Sequence, residues 1–168
     1  LKKIGSLNKP TILSTGMSSV KEIKQAISVL CNSGLNKSNL TVLHCNTDYP
    51  TDYKDVNLKA MKSIQKDFKV EIGYSDHTLG FEIPLAAVSL GAKIVEKHFT
   101  MDKSLSGPDH MFALDPDELK LMIDSIRNAD AAKGNSIKQV LNVELELQKF
   151  ATDYPDIVEF YTLTDMIP

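Results

Sequence analysis

The apolar positions of this chain follow two rhythms in turn. Near-continuous apolar runs fall at 11–15 (TILST), 40–45 (LTVLHC), 69–74 (KVEIGY) and 92–99 (AKIVEKHF). They are short, rich in β-branched residues and bounded by turn formers such as Pro10 and Gly16, so they read as strands. Between them the apolar residues recur three or four apart, the spacing of one helix face. Val20, Ile23, Ala26, Ile27 and Leu30 follow Ser18 and Ser19, with Glu22 placed to complete a capping box and Gly34 to close the helix. A second helix is expected over 55–67, with Val56, Leu58, Met61 and Ile64 on its buried stripe. A short apolar helix over 80–90 carries Pro84 in its first turn. Asp115 caps a helix from Pro116 to about Ala132, with proline at the position that favours it. Gly134 ends that helix, a further helical stretch covers 136–150, and 151–168 is irregular, acidic and unassigned.

Strands starting near 11, 40, 69 and 92, each followed by a helix, predict parallel βα units with right-handed crossovers. The runs are apolar enough for strands covered on both faces. Four such units over 1–150 make half of an eight-unit barrel. Polar groups gather at the strand ends: Ser14 and Thr15, His44 and Asn46, Ser75 and His77, Glu96 and His98. In a (βα)₈ barrel that rim carries the chemistry, which favours the barrel over a small open sheet.

Composition narrows the function. Of 168 residues, 42% are hydrophobic and 24% charged, which suits one globular unit with a real core. The net charge of −3 supplies no basic field, so no nucleic-acid partner is expected. No apolar run approaches a membrane span, and LKKIGSLNKP is not a signal peptide. Cys31 and Cys45 make no disulfide framework, so a cytoplasmic, reduced setting is expected. The chain opens without an initiator Met, in what reads as the tail of a helix, and is expected to be a piece of something longer.

Glu96 and His98 are two apart on a strand and share one face, with Lys97 on the other. His44, His77 and His98 recur at strand ends, and His110 follows in a loop. A lone strand-end His is more often structural, but the repetition points to a divalent ion such as Mn²⁺ or Zn²⁺ held by two imidazoles. Glu96 suits a base, a support for a ligating His or a substrate acceptor; its plain alternative is a salt bridge to a lysine. Asp109 follows Gly107-Pro108, where most Asp residues only form the turn. Asp76 reads as structural. Ser14, Thr15 and Gly16 could receive a phosphate, or simply turn the chain. Cys45 and His44 point to opposite faces and cannot form a nucleophile pair.

The segments KPTILSTGM, LHCNTDYPT, VEIGYSDHTLG and IVEKHFTMDKSLSGPDHMFALDPDEL, in this order and spacing, resemble the N-acetylneuraminate (sialic acid) synthase family over roughly residues 9 to 130. Legionaminate, pseudaminate and spore-coat polysaccharide synthases share the pattern. The resemblance implies an α/β fold, units 5–8 of a (βα)₈ TIM barrel, and a C–C bond-forming transferase. Such enzymes condense phosphoenolpyruvate with N-acetylmannosamine or a related amino sugar, releasing phosphate. It implies His77 and His98 as metal ligands, with Mn²⁺ first and Mg²⁺ or Co²⁺ as alternatives. It places Ser14 and Ser75 against phosphoenolpyruvate, and Glu96, Tyr49 and Asp109 around the sugar. Thr47 stands where some members have an Asn that contacts phosphoenolpyruvate. Family members are domain-swapped homodimers whose small antifreeze-like domain covers the partner's site. This chain lacks that domain and the first four βα units, so alone it is expected to be inactive, with two open sheet edges prone to association. The rival readings are a metal-dependent hydrolase barrel and a non-catalytic truncated barrel.

Overall fold

The computed structural model describes residues 1–153. They divide between a compact unit over Leu1–Lys133 and a second that begins at Gly134. The first unit holds one four-stranded sheet: β1 (Thr11–Ser14), β2 (Leu40–Cys45), β3 (Glu71–Asp76) and β4 (Val95–Lys97). The strands lie side by side in chain order and every pairing is parallel. Helices α2 (Val20–Asn32), α3 (Lys59–Phe68), α4 (Glu82–Ser89) and α5 (Pro116–Ala132) alternate with or follow them, after a short α1 (Lys2–Leu7). This is the expected half barrel.

Pleat phase decides which side chains see the helices. Leu40 and Val42 of β2 and Ile72 and Tyr74 of β3 are buried in the core with Ile23, Ile27 and Leu30 of α2, Met61 and Ile64 of α3, and Ala87 and Val88 of α4. Leu13 and Val95 pack on the same cluster. Burying one such side chain fully contributes roughly 1.5–3 kcal/mol, so this layer fixes which face of every strand turns outward. The intervening residues, including Ser14, Cys45, Ser75 and Glu96, therefore face inward. Both predicted caps form: Ser19 Oγ accepts the Glu22 amide and the Asp115 carboxylate accepts the Glu118 amide, each reciprocated by the glutamate.

Four expectations change. β1 is not covered on both faces: its burial alternates and Ile12 is 53% exposed, so its inner side is left open among the described residues. β3 runs two residues beyond Tyr74, since Ser75 and Asp76 find partners on β4 and stay buried. The helix expected from 55 starts at Lys59; Asp52 instead caps a 3₁₀ turn over Tyr53–Asp55, and Asn57 at φ 48° breaks the helical path. In the second unit the helix expected over 136–150 is a 3₁₀ turn at Asn142–Glu144 followed by α6 (Leu145–Asp153). The unassigned tail falls, from 154 onward, outside the described residues.

Candidate active site

The C-terminal ends of β2, β3 and β4 bring a compact group of rings together. His77 follows β3 directly and His98 follows β4, and their centroids lie 5.2 Å apart at 70°. Tyr49, from the loop after β2, stacks on His77 at 4.2 Å and reaches His98 at 5.7 Å. Phe112 closes the far side, 5.3 Å from His98 and 5.8 Å from Tyr49. Partial burial, and then its acidic neighbours Cys45, Asp109 and Glu96, hold the Tyr49 hydroxyl above the usual phenol range.

The His77 ring is oriented by the backbone. Its Nδ1–H donates to the Asn46 carbonyl at 2.7 Å, and its own carbonyl accepts the Thr51 amide at 2.8 Å. A carbonyl only accepts, so Nδ1 carries the proton and Nε2 is the remaining donor atom for a ligand. His98 is 31% exposed and has the Asp109 carboxylate 3.7 Å from Nδ1, longer than a hydrogen bond. Two imidazoles sharing one ion at ~2.1 Å have centroids on the order of 5 Å apart, so this donor set fits a divalent cation. No group of three or more His, Cys, Asp or Glu side chains able to hold an ion occurs among the described residues, so two imidazoles with open positions is the arrangement on offer.

Ser75 and Glu96 are register partners on the inner face, and the serine hydroxyl donates to Glu96 Oε1 at 2.6 Å. Glu96 is exposed. Glu96 makes no salt bridge among the described residues; the neighbouring Lys97 pairs with Asp76 on the opposite face instead. Asp76 is thus structural, as expected.

Ser14 is exposed at the end of β1, and Thr47 lies where a side chain on Gly16 would strike its hydroxyl, so both belong to the β1–β2 end of the same rim. Thr15 turns away and donates to the Leu43 carbonyl at 2.7 Å, which takes it out of any phosphate cradle. His44 is the clearest miss. It faces the helices, its Nε2–H donating to the Val56 carbonyl at 2.7 Å beside the Tyr74 ring. His110 is a loop tie: its Nδ1 lies 2.7 Å from the Thr100 hydroxyl, which itself donates to the Asp102 carbonyl.

Other contributors were not anticipated. Phe112 and the Asn46 carbonyl carry no sequence signal for their roles. Cys45 points inward, with Sγ 3.9 Å from His77 Nδ1, and burial keeps it a thiol by pushing its pKa up. The Asn46 side-chain oxygen is buried without a partner among the described residues.

Comparison with known proteins identifies the family and the fold. The model of the NeuB family matches residues 1–138. The chain is 53% identical over 144 residues to an N,N'-diacetyllegionaminic acid synthase of Campylobacter jejuni, covering 86% of this chain and 43% of that protein. It is 39% identical over 146 residues to a human N-acetylneuraminate-9-phosphate synthase, covering 86% and 40%. Among solved structures, an N-acetylneuraminic acid (sialic acid) synthetase from Leptospira borgpetersenii, crystallised with citrate, superposes with a TM-score of 0.76 at 32% identity, covering 92% of this chain and 53% of that one. The chain thus spans about half the length of the relatives it matches.

Proposed function

This chain belongs to the NeuB family, and from that premise we propose that it is the C-terminal half of a synthase barrel. That barrel joins phosphoenolpyruvate to N-acetylmannosamine or a related N-acetylated amino sugar, giving a nonulosonic acid and phosphate. The observation that carries the reading is the rim itself: His77, His98, Tyr49 and the Ser75–Glu96 pair stand within one ring cluster and its adjoining strand ends.

In this reading C3 of phosphoenolpyruvate attacks the aldehyde carbon of the open-chain sugar, water adds at C2, and phosphate leaves by C–O cleavage. His77 and His98 would hold the divalent ion, Mn²⁺ first, with Mg²⁺ or Co²⁺ as alternatives. When bound, such an ion supplies Lewis-acid polarisation of the aldehyde oxygen. Glu96 accepts from a sugar hydroxyl or moves a proton, and its bond from Ser75 keeps one carboxylate oxygen aimed across the rim. Ser75 then meets phosphoenolpyruvate only by releasing or sharing that bond. Ser14 and Thr47 complete the phosphoenolpyruvate side. Asp109 and Tyr49 flank the sugar, Asp109 from the loop beside His98. Holding both reactants in one geometry supplies much of the rate.

The chain covers 43% of the Campylobacter jejuni relative, so in this reading the 168 residues by themselves are inactive, and a domain-swapped homodimer belongs to the whole enzyme. The test is a chimera in which residues 1–138 replace the matching half of a full-length relative. Phosphate release that requires both phosphoenolpyruvate and the amino sugar supports the synthase. Release from phosphoenolpyruvate without the sugar, or hydrolysis of an unrelated ester, sinks it in favour of a hydrolase. Turnover by the 168-residue chain alone, near a full-length relative's rate, overturns the dependence on the other half.

A further inference from the structure

The residue before each rim imidazole is charged and lies on the opposite face of the sheet. Asp76 precedes His77, Lys97 precedes His98, and the two are direct partners across β3 and β4. Their side chains meet with Nζ 2.6 Å from Oδ2, at 3% and 0% exposure. Lys97 also donates to the Thr78 carbonyl. Thr78, fully buried, returns its hydroxyl to the same carboxylate at 2.9 and 3.1 Å and its amide at 3.2 Å. Both residues flanking His77 are therefore tied to the residue beside His98.

Stability alone does not account for this cluster. Removing two charges from water costs most of what their attraction returns, and apolar residues of similar volume commonly serve as well. What an apolar pair cannot do is hold two strand ends at one separation through directional bonds. His77 has its ring rotation set by Asn46 and its carbonyl by Thr51. Neither bond reaches β4. The Lys97 ammonium does.

We propose that Lys97 and Asp76 are positioning residues: their buried pair, closed by Thr78, sets how His77 and His98 face one another and so tunes the rim for a divalent cation. The cation part rests on the metal reading above; the positioning part is readable without metal.

The test uses the 168-residue chain as wild type, Lys97→Arg, Thr78→Val and the double variant Asp76→Leu/Lys97→Met. The double variant leaves no unpaired buried charge, so a urea melt separates positioning from folding. Histidine-selective ¹⁵N spectra without metal read the His77 tautomer, and a Co²⁺ titration followed by visible absorption reads affinity and ligand geometry. Wild type should show one tautomer, Nδ1-protonated. The double variant should fold yet show mixed tautomers, shifted Co²⁺ bands and affinity weaker by about tenfold to a hundredfold, the range for groups that orient metal ligands. Lys97→Arg should restore most of the signal, and Thr78→Val should move it in the same direction as the double variant. A wild-type tautomer with Co²⁺ affinity within about twofold in the folded double variant overturns the proposal; if that variant does not fold, the same result in Thr78→Val overturns it. A wild type that binds no Co²⁺, while the tautomer still scrambles in the variants, keeps the brace and removes the metal reading.

Discussion

Gly73→Ala tests how tightly the inner face of the sheet is set. Gly73 lies on β3 two residues before Ser75, on the same face. A methyl there would sit 2.4 Å from Leu43 Cδ2 and 2.5 Å from the Ile94 carbonyl oxygen. The leucine methyl can rotate aside. The carbonyl cannot, because it is backbone and accepts the Tyr74 amide at 2.9 Å. A carbon-to-oxygen contact settles at roughly 3.3 Å, so the start of β4 must move by about 0.8 Å. Overpacking of this kind costs about 1–3 kcal/mol, and a weakened strand hydrogen bond adds about 1. Alanine gives back about 0.5–1 kcal/mol of chain entropy, which leaves a net loss of about 1–3.5. Urea unfolding followed by circular dichroism has slopes of about 1–3 kcal/mol/M for chains of this size, so at a slope of about 2 the midpoint should fall by roughly 0.5–2 M. Gly91→Ala is the contrast: nothing lies within 4 Å of the added carbon, but φ is +105°. Its penalty is backbone strain alone, about 1–2 kcal/mol. An unchanged midpoint for Gly73→Ala, or a larger loss for Gly91→Ala, would refute the steric reasoning.

Three further outcomes follow from the same contacts. Lys97→Met alone strands the Asp76 carboxylate at 0% exposure and should cost about 3–5 kcal/mol in urea, while adding Asp76→Leu should recover most of it. In a full-length barrel carrying this half, His77→Ala and His98→Ala should each cut bound metal, read by elemental analysis, along with condensation; retention of both properties in both variants removes the ligand assignment. Ser19 holds the Glu22 carboxyl below its usual pKa through hydroxyl and amide bonds. A depressed carboxyl adds stability that is present above its unfolded pKa and lost as pH falls through the folded value. Glu22→Gln should therefore lower the melting temperature near pH 7 but not near about pH 2, and an equal loss at both ends would contradict the cap's charge dependence.

The strand order and helix alternation were legible because βα periodicity is written in the spacing of apolar runs. The Ser19–Glu22 and Asp115–Glu118 caps were legible in part for the same reason: the chemistry is local. His44 was not. In LTVLHC both faces are apolar, so the sequence carries no pleat phase, and only the bond to the Val56 carbonyl beside the Tyr74 ring shows which way the imidazole turns. The end of β3 was missed because Ser75 and Asp76 look like loop residues until β4 supplies Glu96 and Lys97 as partners. Val56 and Leu58 extend a helical rhythm that Asn57 interrupts with a backbone conformation the periodicity does not register. The His77–His98 pairing was readable as two like residues at matching strand ends. The Asn46 carbonyl that orients His77 was not, since every residue has a carbonyl.

The alternation of Asp76 with His77 and of Lys97 with His98 limits where this chain can change length. A single-residue deletion inside β3 would slip the register and present Asp76 to the inner face while sending His77 among the helices. The same slip in β4 would exchange Lys97 for His98. Segments beyond the strand ends, at 52–57 and 101–108, face no such parity rule. Insertions there would reshape the loops around the ring cluster while leaving both imidazoles in place, so natural or engineered changes in what the rim accepts should accumulate as gained and lost residues in those two stretches.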